Sequence, residues 1–351
     1  MRKIVFLLII VVSLCECERD NNRLANWTKI YEGLFYFSSV CFPNSDTGYV
    51  IGGSRRYSDD AVVIKTIDGG TSWKQLTLPE ASMEAISSIY FTDANIGFIG
   101  GLKQDRSAII LKTINGGDSW MILNLPNEEA QNCFVHSVYF TDAINGFAAS
   151  SNGVIFKTID GGNTWTVLVL SIEDVDGLTS IYFIDSNIGY ALGLRSVGNF
   201  YGTYFVIILK TIDGGTTWSA SLDNSSYGRL YSVCFTDAKT GYAVGRDGNL
   251  DLFHGIIYKT SDGGITWTDI WRPLNPIEDS SLQSVYFIDS NMGYAVGSNL
   301  CLKTINGGMT WSNLDVPEGL GGLMSVYFTN STTGFIVTSN GIILKTSTGG
   351  K

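Results

Sequence analysis

Seven times along the chain the same short phrase returns. It reads Ser38-Ser39-Val40-Cys41-Phe42, Ser87-Ser88-Ile89-Tyr90-Phe91, His136-Ser137-Val138-Tyr139-Phe140 and Thr179-Ser180-Ile181-Tyr182-Phe183 in the first four copies. Tyr231-Ser232-Val233-Cys234-Phe235, Gln283-Ser284-Val285-Tyr286-Phe287 and Met324-Ser325-Val326-Tyr327-Phe328 complete the set. Each copy runs into an Asp/Asn-rich turn and then a Gly-aromatic pair such as Gly97-Phe98 or Gly241-Tyr242. A second phrase, Lys-Thr-x-Asp/Asn-Gly-Gly-x-Ser/Thr-Trp, begins at Lys65, Lys112, Lys157, Lys210, Lys259 and Lys303. A seventh copy, Lys345 to Lys351, stops before its Trp. A period of about 40–50 residues that carries four short strands is the signature of a propeller blade.

The expectation is therefore an all-β, seven-bladed β-propeller of four-stranded blades, a single domain over residues 24–351. Within each blade the Ser-Val-Tyr-Phe run is the innermost strand and the Gly-Tyr-Ala-Val-Gly run the second. Ile-Leu-Lys-Thr is the third, and the residues after the Trp form the outer strand. Such blades bury their faces only against each other, so the ring should fold as one unit. Asn26-Trp27-Thr28-Lys29-Ile30 resembles the segment that ends a box elsewhere, for example Ser72-Trp73-Lys74-Gln75-Leu76. The N-terminal strand is thus expected to complete the last blade, and removing residues 24–31 should open the ring.

Asp68, Asp160, Asp213 and Asp262 occupy the box turns, with Asn115 and Asn306 in two copies. A short side chain with an acceptor oxygen holds a tight turn by bonding nearby backbone N–H groups. A ring of metal-binding carboxylates is the competing reading. Free exchange with Asn, and the isolation of each Asp from further oxygen ligands, argue for the structural role.

Residues 1–17 read as an export signal. Met1, Arg2 and Lys3 form a basic start, and Ile4 to Leu14 an apolar stretch too short to span a bilayer. Cys15 stands where an acylated cysteine would, although Leu14 departs from the small residue usual before it. Lipidation at Cys15 and ordinary cleavage are both open. An exported location is expected, in the periplasm, the cell envelope or outside the cell. Membrane contact would come only through a lipid anchor. Cys41, Cys133, Cys234 and Cys301 have no framework spacing and read as free thiols. A net charge of −10 argues against nucleic acid and anionic membrane surfaces as partners.

The links between second and third strands vary. Ser151-Asn152-Gly153, Ser298-Asn299-Leu300 and Ser339-Asn340-Gly341 are short, whereas insertions run from Ser54 to Asp60, Lys103 to Ser107, Arg195 to Tyr204 and Arg246 to His254. Variable loops on a uniform scaffold are where binding resides. With Arg229 from a link between blades, they place six of the ten arginines on one face. The candidate partner-binding residues are Arg55, Arg56, Tyr57, Arg106, Arg195, Phe200, Tyr201, Tyr204, Arg229, Arg246 and Phe253. Arg mixed with aromatics is the composition of protein-interface anchors. The partner class is a protein or peptide, and the chain is expected to act as a monomer.

Catalysis finds little support. The two histidines, His136 and His254, are too few for a His-based metal centre and too scattered for a triad. No P-loop, dinucleotide fingerprint or Cys-x-x-Cys site occurs. No cofactor or metal is expected. Glu84, Glu128, Glu129, Glu173, Asp174, Asp176, Glu278 and Asp279 in the links between blades leave a glycosidase-like pair as the alternative.

The box resembles the bacterial neuraminidase repeat, shared by sialidases, xyloglucanases and sortilin-type receptors. The fuller repeat, Ser-Val-Tyr-Phe-x-Asp through Gly-Tyr-Ala-Val-Gly to Ile-Leu-Lys-Thr-x-Asp-Gly-Gly-x-Thr-Trp, is similar to that of the photosystem II stability and assembly factors over residues 24–351. That resemblance implies a non-enzymatic propeller that binds newly made membrane-protein subunits through a basic face. By position on the face, Arg55, Arg56, Arg106, Arg195, Arg229 and Arg246 would be its counterparts here. A generic envelope or secreted binding module is the near alternative.

Overall fold

The computed structural model describes residues 26–350 except 55–60, 80–82, 169, 171, 173, 197–203, 249–252, 274–279 and 299. The described residues are almost entirely β, with one short helix at Asn127–Ala130. The strands form six antiparallel sheets. Five have four strands, and in four of these the order in space follows the order in sequence. In the fifth, Thr28–Glu32 from the N-terminus pairs with Ile342–Thr346, in register Thr28 to Lys345.

The sixth sheet has seven strands and covers the fourth and fifth repeats together. Its centre is the 17-residue strand Ser219–Phe235. The first half of that strand is the outer strand of one repeat, paired to Tyr204–Thr211. The second half is the inner strand of the next, paired to Gly241–Gly248. Among the described residues, no other strand is shared between two repeats.

The repeated phrases explain how sheet meets sheet. An aromatic residue of each second strand stacks on the inner-strand Phe of the following repeat. The pairs are Tyr49 on Phe91, Phe98 on Phe140, Phe147 on Phe183, Tyr190 on Phe235, Tyr242 on Phe287 and Tyr294 on Phe328, with centroids 3.9–4.3 Å apart. Phe335 of the last repeat stacks in the same way on Phe42 of the first, at 4.2 Å. Each stack contributes about 0.5–1.5 kcal/mol beyond the area it buries.

The box lysine then crosses to the next box. Lys65 donates to the Gly116 carbonyl at 2.7 Å, Lys112 to Gly161 at 2.6 Å, and Lys345 to Gly69 at 2.7 Å. Nearer the axis, Tyr90, Tyr139, Tyr182 and Tyr286 donate to the inner-strand Phe carbonyl of the following repeat. Tyr327 donates to Phe42. The glycine of the Gly-aromatic pair has a direct cause, because a Cβ on Gly97 would overlap the Phe91 ring.

The boxes are self-contained turns. In the first, the Asp68 carboxylate accepts from the Ser72 N–H at 2.8 Å and from the Thr66 and Ser72 hydroxyls. The Thr66 hydroxyl oxygen accepts from Gly70 N–H at 2.9 Å, and both glycines take positive φ. These bonds hold the carboxyls of Asp68, Asp160, Asp213 and Asp262 down at about 2. Asn115 reproduces the same contacts with its amide. Box tryptophans stand edge-on to the inner-strand Phe, as Trp165 does to Phe140 at 6.2 Å. Trp27 takes the same position against Phe328, at 5.9 Å, in the repeat whose own box lacks a Trp. Cys41, Cys133, Cys234 and Cys301 are free thiols, and burial pushes Cys234 and Cys301 up to about 12.

Candidate functional site

Strand direction puts the links between second and third strands, and those between repeats, on one face. The box turns lie on the other, where Ile67, Ile114, Ile159, Ile212 and Ile305 stand exposed, one in each of five repeats. On the first face the backbone departs from the regular pattern. Arg106, Asn132 and Asp174 are non-glycine residues with φ of 63°, 51° and 64°. Such conformations persist only where surrounding contacts enforce them, and they gather at functional sites.

Two cavities lined by described residues open on this face. The larger, about 330 Å³, lies against the seven-stranded sheet and is lined by Leu194, Tyr204, Tyr227, Gly228, Arg229, Arg246 and Phe253. Four of the residues singled out from sequence, Tyr204, Arg229, Arg246 and Phe253, thus meet in one place. Arg246 lies over the Phe253 ring at 4.5 Å and Arg229 over Tyr231 at 5.7 Å. Phe205 stacks on Tyr227 at 5.2 Å, which fixes the cavity wall. The second cavity, about 300 Å³, is lined by Leu102, Arg106, Asn132, Phe134 and Ser151. His136 lies two residues beyond Phe134 and packs edge-on to it at 4.5 Å. Burial, with the Arg229 charge second, pushes His136 down to about 4.

The structure corrects one expectation about these residues. Sequence places Arg195 and Arg246 on loops, but both sit on strands. The hairpin Gly189–Ser196 with Tyr204–Thr211 keeps its ladder as far as Ser196 opposite Tyr204. The hairpin Gly241–Gly248 with Phe253–Thr260 continues to Gly248 opposite Phe253. Both extensions pair with the long central strand, whose backbone groups would otherwise lack partners. Arg195 neighbours the cavity through Leu194 without lining it. Arg55, Arg56, Tyr57, Phe200 and Tyr201, like residues 1–17, for which an export signal is expected, lie outside the described residues.

Sequence reasoning missed Leu194, Tyr227 and Gly228, since Asp223-Asn224-Ser225-Ser226 ahead of the last two reads as a turn. It also missed Arg272. The buried Asp247 carboxylate accepts from both terminal nitrogens of Arg272, at 2.5 and 2.8 Å, and Arg272 bonds Asp269 as well. Burial is the largest influence on Asp247 and raises its carboxyl, while Arg272 pulls it the other way. This fork ties the hairpin that carries Arg246 and Phe253 to the outer strand Thr268–Trp271. Of the acidic residues considered as a hydrolytic pair, Glu84, Glu128, Glu129, Asp174 and Asp176 line neither cavity. Glu173, Glu278 and Asp279 lie outside the described residues.

Residues 36–207 match the model of the family described as photosynthesis system II assembly factor YCF48. No curated protein matches the chain. Among solved structures, YCF48 bound to a D1 peptide superposes with a TM-score of 0.66 at 19% identity, over 92% of this chain and 96% of that one. YCF48 from Cyanidioschyzon merolae gives 0.65 at 18% identity, over 91% and 98%. A GH74 enzyme from Niastella koreensis also gives 0.66 at 18% identity, over 91% of this chain but 53% of the enzyme. At these identities the likeness shows a shared β-propeller fold. Residues 36–207, just under half of the chain, thus match the model of the photosynthesis system II assembly factor YCF48 family, and the same repeat continues to residue 350.

Proposed function

We propose that the protein is a non-enzymatic scaffold that holds a peptide or protein partner on its arginine-bearing face, in the manner of an assembly factor. The observation that carries this reading is the cavity in which Arg229, Arg246, Tyr204 and Phe253 converge. A protein of the same fold, YCF48, has been solved with a D1 peptide bound, which supports a peptide as the ligand class. The scaffold itself is read as a single seven-bladed ring over residues 24–351. The seven-stranded sheet supplies two of the blades, joined by a link that stays extended. Pairing of the N-terminal strand with Ile342–Thr346 supports closure through the chain ends. So do the Phe335–Phe42 stack and the Lys345–Gly69 bond. The protein is read as exported by the signal at residues 1–17, with Cys15 acylated or removed with the signal, and as acting as a monomer.

Affinity capture from the native envelope fraction tests this reading. Bait of wild-type sequence is compared with bait carrying Arg106→Ala, Arg229→Ala and Arg246→Ala, and the recovered proteins are identified by mass spectrometry. Recovery of a membrane-complex subunit by wild type alone is expected. Equal recovery by both baits would contradict the proposal and bring glycan binding and hydrolysis assays forward.

A further inference from the structure

The turn between the second and third strands of the second repeat breaks a rule that two other repeats keep. In the turns from Ser150 to Val154 and from Thr338 to Ile342, the fourth residue donates to the carbonyl three residues before it. Gly153 bonds Ser150 at 3.3 Å and Gly341 bonds Thr338 at 3.1 Å, and both glycines take positive φ, 74° and 71°. Arg106 makes the same bond to Lys103, at 2.9 Å and with φ 63°. Glycine is the usual occupant of such a position, because a Cβ is disfavoured there. At 153 and 341 a Cβ would also overlap the carbonyl oxygens of Val175 and Phe35, in the links that lead into the next inner strands. The corresponding link in the second repeat passes through the helix Asn127–Ala130 and meets the turn by a Ser107–Gln131 bridge. Its Cys133 N–H reaches the Arg106 carbonyl at 3.3 Å. A long cationic side chain therefore stands where the turn by itself asks for glycine.

That side chain lines the cavity of about 300 Å³ with Leu102, Asn132, Phe134 and Ser151. The lining is rich in donors. A guanidinium carries five N–H groups and no acceptor. The Ser151 hydroxyl oxygen already accepts from the Phe134 N–H at 3.0 Å, which leaves its proton to give. Asp105, beside Arg106 in sequence, does not balance the charge, because its carboxylate accepts from the Ser107 N–H at 2.9 Å and from the Ser107 hydroxyl. Among the described residues, no Asp or Glu lines the cavity, and the side chains of Arg106 and Asn132 have no hydrogen-bond or ion-pair partner. Leu102 and Phe134 supply an apolar wall, and the Ser151 N–H fixes Phe134 by bonding its carbonyl at 2.9 Å. A bare inorganic anion would leave that wall unused. A neutral apolar side chain would displace water from Arg106 and give nothing back. The volume lies at the small end of ligand sites and suits one side chain.

We propose that this cavity takes one acidic side chain, Asp or Glu, of a bound peptide. The Arg106 guanidinium and the Ser151 hydroxyl hold the carboxylate, Leu102 and Phe134 cover its methylenes, and the Asn132 amide, both donor and acceptor, meets the peptide backbone beside it. The proposal rests on the peptide-holding reading above and specifies which peptides are chosen. It also accounts for an arginine at a turn position that strains its backbone: the side chain serves the ligand and not the fold.

The test starts from a displayed library of random ten-residue peptides selected on the full chain. The expected result is a set of enriched peptides that share one position held by Asp or Glu. The tightest is then synthesised with that residue and with its amide counterpart, and both are titrated by fluorescence anisotropy against wild type and Arg106→Gln. Removing the charge should weaken binding to wild type about five- to tenfold, the scale of a charge-assisted bond in a partly open site. It should change nothing on Arg106→Gln, since loss of non-additive coupling is the signature of a direct pair. Arg106→Gly adds a readout that a structural role would not give. Binding should fall as it does in Arg106→Gln, while the melting temperature holds or rises, because glycine suits a φ of 63°. An equal loss on wild type and Arg106→Gln, enriched peptides with no acidic position, or a lowered melting temperature in Arg106→Gly would each overturn the proposal. Enriched peptides with no acidic position would leave the peptide-holding reading standing, whereas no enriched peptide at all would take both down.

Discussion

Replacing Trp27 by Ala asks whether the N-terminal strand is part of the core or an appendage. Trp27 is fully buried and packs with Tyr294, Val326, Phe328 and Leu344, residues of the last two repeats. It meets Phe328 edge-on at 5.9 Å, the geometry that Trp165 makes with Phe140 inside the third repeat. Truncating a buried Trp to Ala removes its transfer free energy and leaves a cavity, which costs about 3–5 kcal/mol. Trp27→Ala and Trp165→Ala should therefore destabilise alike, by about 3–5 kcal/mol each, although one residue is terminal and the other central. The assay is equilibrium guanidinium unfolding followed by circular dichroism, with the slope checked for a common two-state transition. A loss below about 1 kcal/mol for Trp27→Ala, beside the full loss for Trp165→Ala, would refute the reasoning. The strand would then pair without closing anything.

Three further outcomes are expected. The Thr113 hydroxyl is buried and accepts from the Gly117 and Asn115 N–H groups, so Thr113→Val should cost about 1–3 kcal/mol, measured by the same unfolding assay. Arg272→Met strands the Asp247 carboxylate, which is only 1% exposed; breaking such a pair costs about 3–5 kcal/mol when both partners are buried, and the half-exposed Arg272 should bring the loss to the lower end. Thermal scans across pH should show acid sensitivity from the boxes. Asp68, Asp160, Asp213 and Asp262 are held at about 2 in the fold, below their usual value, so their contribution is complete above about pH 4 and is lost as pH falls toward 2. Replacing all four with Asn, as the boxes at 115 and 306 already have, should flatten the melting temperature between those pH values, and an unchanged slope would contradict the assignment.

Repetition decides how much of this molecule was legible in its sequence. The Gly-aromatic pair, the box and the Ser-Val-Tyr-Phe run recur because each makes the same contact in every repeat, so comparing the chain with itself exposes them. Tyr49, Phe98 and Tyr190 are equivalent letters because each stacks on the next inner-strand Phe. The place of Trp27 was readable for the same reason, as the Trp that the last box lacks. The site is where repetition stops. Asp223-Asn224-Ser225-Ser226 has the composition of a turn, yet the chain there stays extended because long hairpins on both sides pair with it. Local propensity lost to the hydrogen-bond demand of neighbouring strands. Arg229 and Arg246 could be assigned to a face from strand order alone. Their direct opposition across a ladder needed a register that no repeat specifies. Arg272 gave no signal, because its partner Asp247 becomes buried only once that register exists.

Photo-crosslinking in the native envelope distinguishes the two faces most directly. A benzophenone amino acid replaces Tyr204, exposed beside the arginine cavity, or Ile67, exposed on the box face. The expected result is a crosslinked partner from position 204 and none from position 67. Crosslinks from position 67 alone, or equally from both, would show that the arginine face is not where this protein holds its partner.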